Sequence, residues 1–178
     1  VEFLQNRSQA TRPFFLYLPF QNIHCPYSCE QVYIDAYANH SHLTEEEKVM
    51  YGYLSEMDDA VGNVIQALKD RDLWESTLII YTSDNGAPPA AGVRYRNYPL
   101  RGFKSQIWEG GTRVPAFISG GAVPKDVRGS KSHKLFHVTD WFPTIAHVTG
   151  TAIRSNTDRP LDGHNIWNAL TSESPSPR

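Results

Sequence analysis

Thr44-Glu45-Glu46-Glu47 opens a long apolar stripe, and no other stretch restricts the fold as tightly. Thr44 can accept a hydrogen bond from the first-turn backbone while Glu47 reaches back to the cap, the reciprocal arrangement of a capping box. Beyond it Met50, Tyr53, Leu54, Met57, Val61, Val64, Ile65 and Leu68 recur at three- and four-residue spacing. That period predicts a long helix with one apolar face. The face must lose water against a sheet or another helix, and each large aliphatic side chain contributes roughly 1.5–3 kcal/mol on full burial. Tyr53 and Met57 are accordingly read as core residues rather than parts of a ligand site.

Short apolar runs flank this helix. Phe14-Phe15-Leu16-Tyr17-Leu18, set between Pro13 and Pro19, reads as a buried strand. The polar segment Gln21-Asn22-Ile23-His24-Cys25-Pro26 reads as a loop, which carries His24 just beyond the strand end. Leu78-Ile79-Ile80-Tyr81-Thr82 is unbroken in its apolar character, like a central parallel strand buried on both faces, and Ser83-Asp84-Asn85-Gly86 turns it abruptly polar. Strand, loop, helix and strand together suit a larger three-layer α/β domain. Pro88 through Arg101 form a long loop, Val114-Pro115-Ala116-Phe117-Ile118-Ser119 a further strand, and Asp140 through Val148 a short helix stopping at Gly150. Another short helix follows Asp162-Gly163, and the Ser/Pro-rich residues 172–178 read as a connection or a frayed terminus.

Composition narrows the function classes. With 17 basic and 19 acidic residues among 178, the net charge of -2 offers no broad basic field for nucleic acid. No segment is long and apolar enough to cross a bilayer, and the first residues lack the pattern of a signal peptide. Asn6-Arg7-Ser8 and Asn39-His40-Ser41 are glycosylation acceptor patterns that would be used in a secretory pathway. Cys25 and Cys29 enclose Pro26-Tyr27-Ser28; a disulfide, a structural role and free thiols all stay open, and a zinc site lacks the remaining ligands.

Asp84 and Asn85 place a carboxylate beside a carboxamide at a strand end, and both supply the oxygen donors that suit a hard divalent ion. Two donors are too few for a cage, and Asp-Asn-Gly is equally a turn former. Their setting adds weight. The ordered series Phe15-Leu16-Tyr17-Leu18 with His24-Cys25-Pro26, Thr82-Ser83-Asp84-Asn85-Gly86, Pro99-Leu100-Arg101-Gly102-Phe103-Lys104, Trp108-Glu109-Gly110-Gly111-Thr112-Arg113-Val114-Pro115 and Thr139-Asp140-Trp141-Phe142-Pro143-Thr144 resembles the middle and later part of the sulfatase family, most strongly its arylsulfatase B-like branch. Pro160-Leu161-Asp162-Gly163 extends the match.

The resemblance implies an α/β fold: an incomplete alkaline-phosphatase-like sulfatase sandwich, its mostly parallel central sheet flanked by helices, with residues 1–171 as a partial catalytic domain. It also implies that Asp84 and Asn85 contribute to a calcium site, that Lys104 meets the sulfate, and that His24 lies beside the sulfate and the leaving oxygen. Trp108 and Glu109 would support the pocket, as would His137, Asp140 and Trp141; His133, His147 and His164 have surface, cap or core-edge roles. The family nucleophile is a formylglycine made from a Cys or Ser in a short motif toward the amino-terminal side. Neither Cys25-Pro26-Tyr27-Ser28-Cys29 nor the residues after Cys29 match that motif. The expectation is therefore a middle-to-carboxyl-terminal portion, inactive alone, whose parent hydrolyses a sulfate ester, on a glycosaminoglycan or other sulfated carbohydrate, in the lysosome or outside the cell. Its missing partner would be the amino-terminal portion of the same protein. Two other readings compete: a metal-dependent phosphate or phosphonate hydrolase, and a noncatalytic anion-binding or structural segment.

Overall fold

The computed structural model describes residues 2–8, 12–89, 97–154 and 159–178. The chain divides into two compact units, Val1–Ala122 and Val123–Arg178. In the first unit, α1 (Glu2–Gln5) and α2 (Gln31–Asp35) both contact α3 (Glu45–Asp70), the long helix. The capping box is formed as its sequence requires: the Glu47 backbone N–H donates to Thr44 Oγ1 at 3.1 Å, and the Thr44 N–H to Glu47 Oε2 at 2.9 Å. Of the predicted stripe, Met50, Tyr53, Met57 and Leu68 are buried, Val61, Val64 and Ile65 are half-buried, and Leu54 is exposed.

Two groups of contacts cover α3. Leu4, Ala67, Leu68 and Leu73 form a buried cluster joined by Phe14, Val64 and Ile79. Farther toward the start of the helix, α2 is tied down by Tyr33 Oη donating to Asp59 Oδ2 at 3.0 Å and by the Tyr37 and Ser55 hydroxyls 2.8 Å apart. Cys25 and Cys29 are both free thiols; burial, with Glu56 adding to it, pushes the Cys29 thiol up.

The sheet corrects the sequence reading. β1 (Ile79–Thr82) pairs with β2 (Ala116–Ser119) antiparallel, in the register Ile79 to Ser119 through Thr82 to Ala116. A parallel central strand buried on both faces was expected; among the described residues β1 has one strand partner, antiparallel, and is half-buried from Ile79 to Tyr81. Strand direction depends on the neighbour, which an apolar run does not encode. α4 (Glu109–Thr112) precedes β2, and the Tyr81 and Phe117 rings stack across the pair at 4.9 Å.

The second correction is the run Phe14 to Leu18. It is irregular rather than a strand, and Phe15 and Tyr17 are 74% and 77% exposed. An apolar run becomes a strand only where another strand meets its backbone groups, and none does so among the described residues. Of the long loop predicted from Pro88 to Arg101, residues 90–96 lie outside the described residues.

In the second unit, a 3₁₀ turn (Val138–Asp140) runs into α5 (Trp141–Val148), and α6 (Trp167–Thr171) follows later, matching both predicted short helices. Asp140 organises this unit. Its carboxylate, fully buried, accepts from the backbone N–H groups of His137 and His164 at 2.7 Å each and from the Arg178 guanidinium. Arg178 thus binds residues 172–178, read as a connection or frayed end, back to the 3₁₀ turn. Thr144 Oγ1 donates to the Asp140 carbonyl and accepts from the Ile166 N–H.

Candidate functional site

The end of β1 becomes a turn because its side chains bind their own backbone. Ser83 keeps the ladder going with an N–H donated to the Pro115 carbonyl at 3.1 Å. Asp84 Oδ1 then accepts from the Asn85 N–H at 2.8 Å, and Asn85 Nδ2 donates to the Gly86 carbonyl at 3.0 Å. This leaves Asp84 Oδ2 and the Asn85 amide oxygen as hard acceptors at the strand end, with Asp84 exposed.

The next residues are sewn to the Lys104 loop. Gly86 donates to the Gly111 carbonyl at 3.0 Å, Gly110 to the Arg101 carbonyl at 2.7 Å, and Lys104 to the Ala87 carbonyl at 3.0 Å. The layers touch so closely that a Cβ on Gly86 would lie 1.8 Å from the Gly110 oxygen, and one on Gly110 would lie 2.2 Å from the Gly102 oxygen. Only glycine permits that approach. Three stretches, residues 83–87, 101–106 and 108–111, therefore behave as one loop cluster carrying Asp84, Asn85, Lys104, Trp108 and Glu109.

Within the cluster, the Arg101 guanidinium lies 3.7 Å from the Trp108 ring centroid, a stack that braces the loop against α4. Glu109 faces Arg113 across an exposed 3.6 Å ion pair, so its carboxylate is already engaged. The half-buried Lys104 ammonium takes no hydrogen-bond or ion-pair partner among the described residues. A free cation thus stands on the same cluster as two oxygen donors.

His24 is carried by a different loop of the first unit. Its loop is anchored to α3 by Asn22 Nδ2, which donates to the Tyr53 carbonyl at 2.8 Å. His24 Nδ1 lies 2.6 Å from the Cys25 carbonyl oxygen. A carbonyl only accepts, so Nδ1 carries the proton and the exposed ring offers Nε2 to solvent. Five of the predicted residues thus share the loop cluster, and His24 is carried by a separate loop.

Among the described residues, no three His, Cys, Asp or Glu side chains converge to hold a metal ion. The chemistry of Asp84 and Asn85 suits calcium, but two oxygens leave most of a shell of six to eight unfilled. They supply two of the oxygen donors that such an ion takes.

Sequence reasoning missed Asn97. Its Oδ1 accepts from the Ala87 N–H at 2.9 Å, and its Nδ2 donates to the Ala87 and Gly102 carbonyls at 2.9 and 3.2 Å. The available signal was an asparagine just ahead of Tyr98-Pro99, a turn-forming combination whose distant partners no local pattern reveals.

A family model described as Sulfatase matches residues 1–151. The chain is 35% identical over 168 residues to Arylsulfatase J of Mus musculus, covering 94% of this chain and 27% of that protein. It is 32% identical over 174 residues to N-acetylgalactosamine-6-sulfatase of Canis lupus familiaris, covering 96% and 31%. Among solved structures it is similar to Ps i-CgsB in complex with k-i-k-neocarrahexaose, with a TM-score of 0.83 and 30% identity over 95% of this chain and 36% of that one. The chain thus spans less than a third of the length of these two sulfatase relatives.

Proposed function

We propose, from the premise that this chain belongs to the sulfatase family, that it forms part of an enzyme hydrolysing a sulfate ester on a carbohydrate. The observation that supports this reading most directly is the loop cluster, where the Lys104 ammonium, unpaired among the described residues, and the oxygens of Asp84 and Asn85 are joined through Ala87. Asp84 and Asn85 would hold part of a calcium shell, and Lys104 would pair with sulfate oxygens where negative charge must be offset. His24, with Nδ1 committed to the Cys25 carbonyl, can give a proton from Nε2 to the leaving oxygen when its ring is cationic. Trp108 and Glu109 support the loop through Arg101 and Arg113. In this reading, an oxidised Cys or Ser outside residues 1–178 supplies a formylglycine nucleophile, and calcium supplies positive charge beside the sulfate.

A carbohydrate substrate agrees with one relative named N-acetylgalactosamine-6-sulfatase and with a structural neighbour in complex with a neocarrahexaose. A lysosomal or extracellular setting agrees with Asn6 and Asn39 lying exposed in their acceptor patterns. The test is hydrolysis of aryl sulfate and sulfated galactosamine by the full-length protein, its formylglycine confirmed by mass spectrometry. Lys104→Ala and His24→Ala should each lower kcat/KM by about 10²-fold or more. A formylglycine-bearing protein that cleaves phosphate esters and leaves sulfates intact would move the assignment to phosphoryl chemistry. Failure on both would leave a structural or anion-binding segment.

A further inference from the structure

We propose that Asn97 is a positioning residue that sets the place of Lys104 relative to the Asp84-Asn85 turn; the inference rests on the sulfatase reading of that cluster. The side chain of Asn97 pairs with Ala87 as a strand backbone would, accepting its N–H and donating to its carbonyl, both at 2.9 Å. The Ala87 carbonyl also accepts the Lys104 N–H at 3.0 Å, so both of its lone pairs are occupied, one by each side of the junction. The third bond of Asn97, from Nδ2 to the Gly102 carbonyl at 3.2 Å, reaches the same loop two residues before Lys104.

One primary amide therefore bridges the stretch that leaves Asp84 and the stretch that presents Lys104. No other uncharged side chain of this length offers an acceptor and two donors together. Asn97 is placed for this by its own turn, in which the Leu100 N–H donates to the Asn97 carbonyl at 2.7 Å. Without the bridge, the Lys104 loop keeps its bonds from Gly110 to Arg101 and from Lys104 to Ala87 but loses the element that fixes Ala87 itself. A shift of about 1 Å between charged groups and a reacting ester lowers rate by roughly 10²-fold. The consequence falls on turnover more than on folding.

The experiment is a double-mutant cycle in the full-length, formylglycine-bearing enzyme, using Asn97→Ala, Lys104→Ala and the pair. Asn97→Asp is a near-isosteric second variant that keeps the acceptor and removes both donations. With thermal midpoints measured alongside, each Asn97 variant should lower kcat/KM by about 10- to 100-fold while the midpoint moves by only a few degrees. In the Lys104→Ala background the Asn97 change should cost less than about threefold, because the group it positions is gone. Independent, multiplying losses would overturn the positioning role and leave the site reading intact. A Lys104→Ala enzyme as active as its parent would overturn the site reading and this proposal with it.

Discussion

A carboxylate with no solvent contact must be compensated within the protein, and Asp140 shows what that compensation costs as pH changes. Burial by itself would raise its pKa, but hydrogen bonds from Arg178 and from the His164 and His137 backbones outweigh this and bring it from 3.8 to about 2. The folded value lies below the ordinary one, so the stabilisation is fully present above about pH 4 and is lost as pH falls toward 2. The difference amounts to roughly 2 kcal/mol. Amide exchange at His164 and Ile166 should accelerate across that window. Asp140→Asn should remove the acid-side dependence and destabilise the second unit by a similar roughly 2 kcal/mol. Persistent acid sensitivity in Asp140→Asn would assign it to another group. The sequence marked Asp140 as an acidic cap for the following helix, but its side chain makes no cap bond to α5 and serves the His137 and His164 backbones instead. Its pairing with Arg178 was not legible, because the two lie 38 positions apart and nothing local to either announces the other.

The same division runs through the elements. α3 was legible because a helix and its cap are local: Thr44 and Glu47 are three positions apart, and the apolar spacing repeats every turn. Thr44→Ala removes the acceptor for the Glu47 N–H and should destabilise the first unit by about 1 kcal/mol, with Thr44→Ser retaining most of it. Denaturant midpoints for the two variants check this; equal losses would mean the methyl group, not the hydroxyl, holds the helix start. Strands were legible only as runs. β1 and β2 were found at nearly their observed positions, yet their antiparallel pairing was not, and Phe14 to Leu18 has the composition of a strand but no strand partner among the described residues. The turn at Asp84-Asn85 is written in short-range chemistry, whereas the bridge made by Asn97 spans ten residues to Ala87 and depends on three glycine-tight layers meeting.

For the molecule as a whole, exposed apolar surface and the length of the relatives lead to one prediction. Phe15 and Tyr17 are 74% and 77% exposed, and Leu16 and Leu18 lie beside them at 41% and 47%. Contiguous exposed apolar residues of this kind promote association in a soluble chain. From Phe15 to Leu18 the exposed side chains sit on backbone that pairs with no strand among the described residues, the two properties that make an edge available to another strand. Since this chain covers 27–31% of Arylsulfatase J and N-acetylgalactosamine-6-sulfatase, the proposal that the parent supplies further structure accounts for both features. Residues 1–178 expressed alone should bind a hydrophobic dye and elute as concentration-dependent oligomers, and the full-length protein should do neither. Paired Phe15→Ser and Tyr17→Ser substitutions should reduce dye binding and association of the short chain. They should destabilise the full-length protein by several kcal/mol, because two aromatic side chains would lose their burial there. Calcium should restore no sulfatase turnover to the short chain, since the ion adds ligand geometry and charge but no nucleophile. Light scattering and dye fluorescence measure the first outcome, and an aryl sulfate assay the second. A monomeric short chain that excludes the dye would show that these side chains are surface in the parent as well.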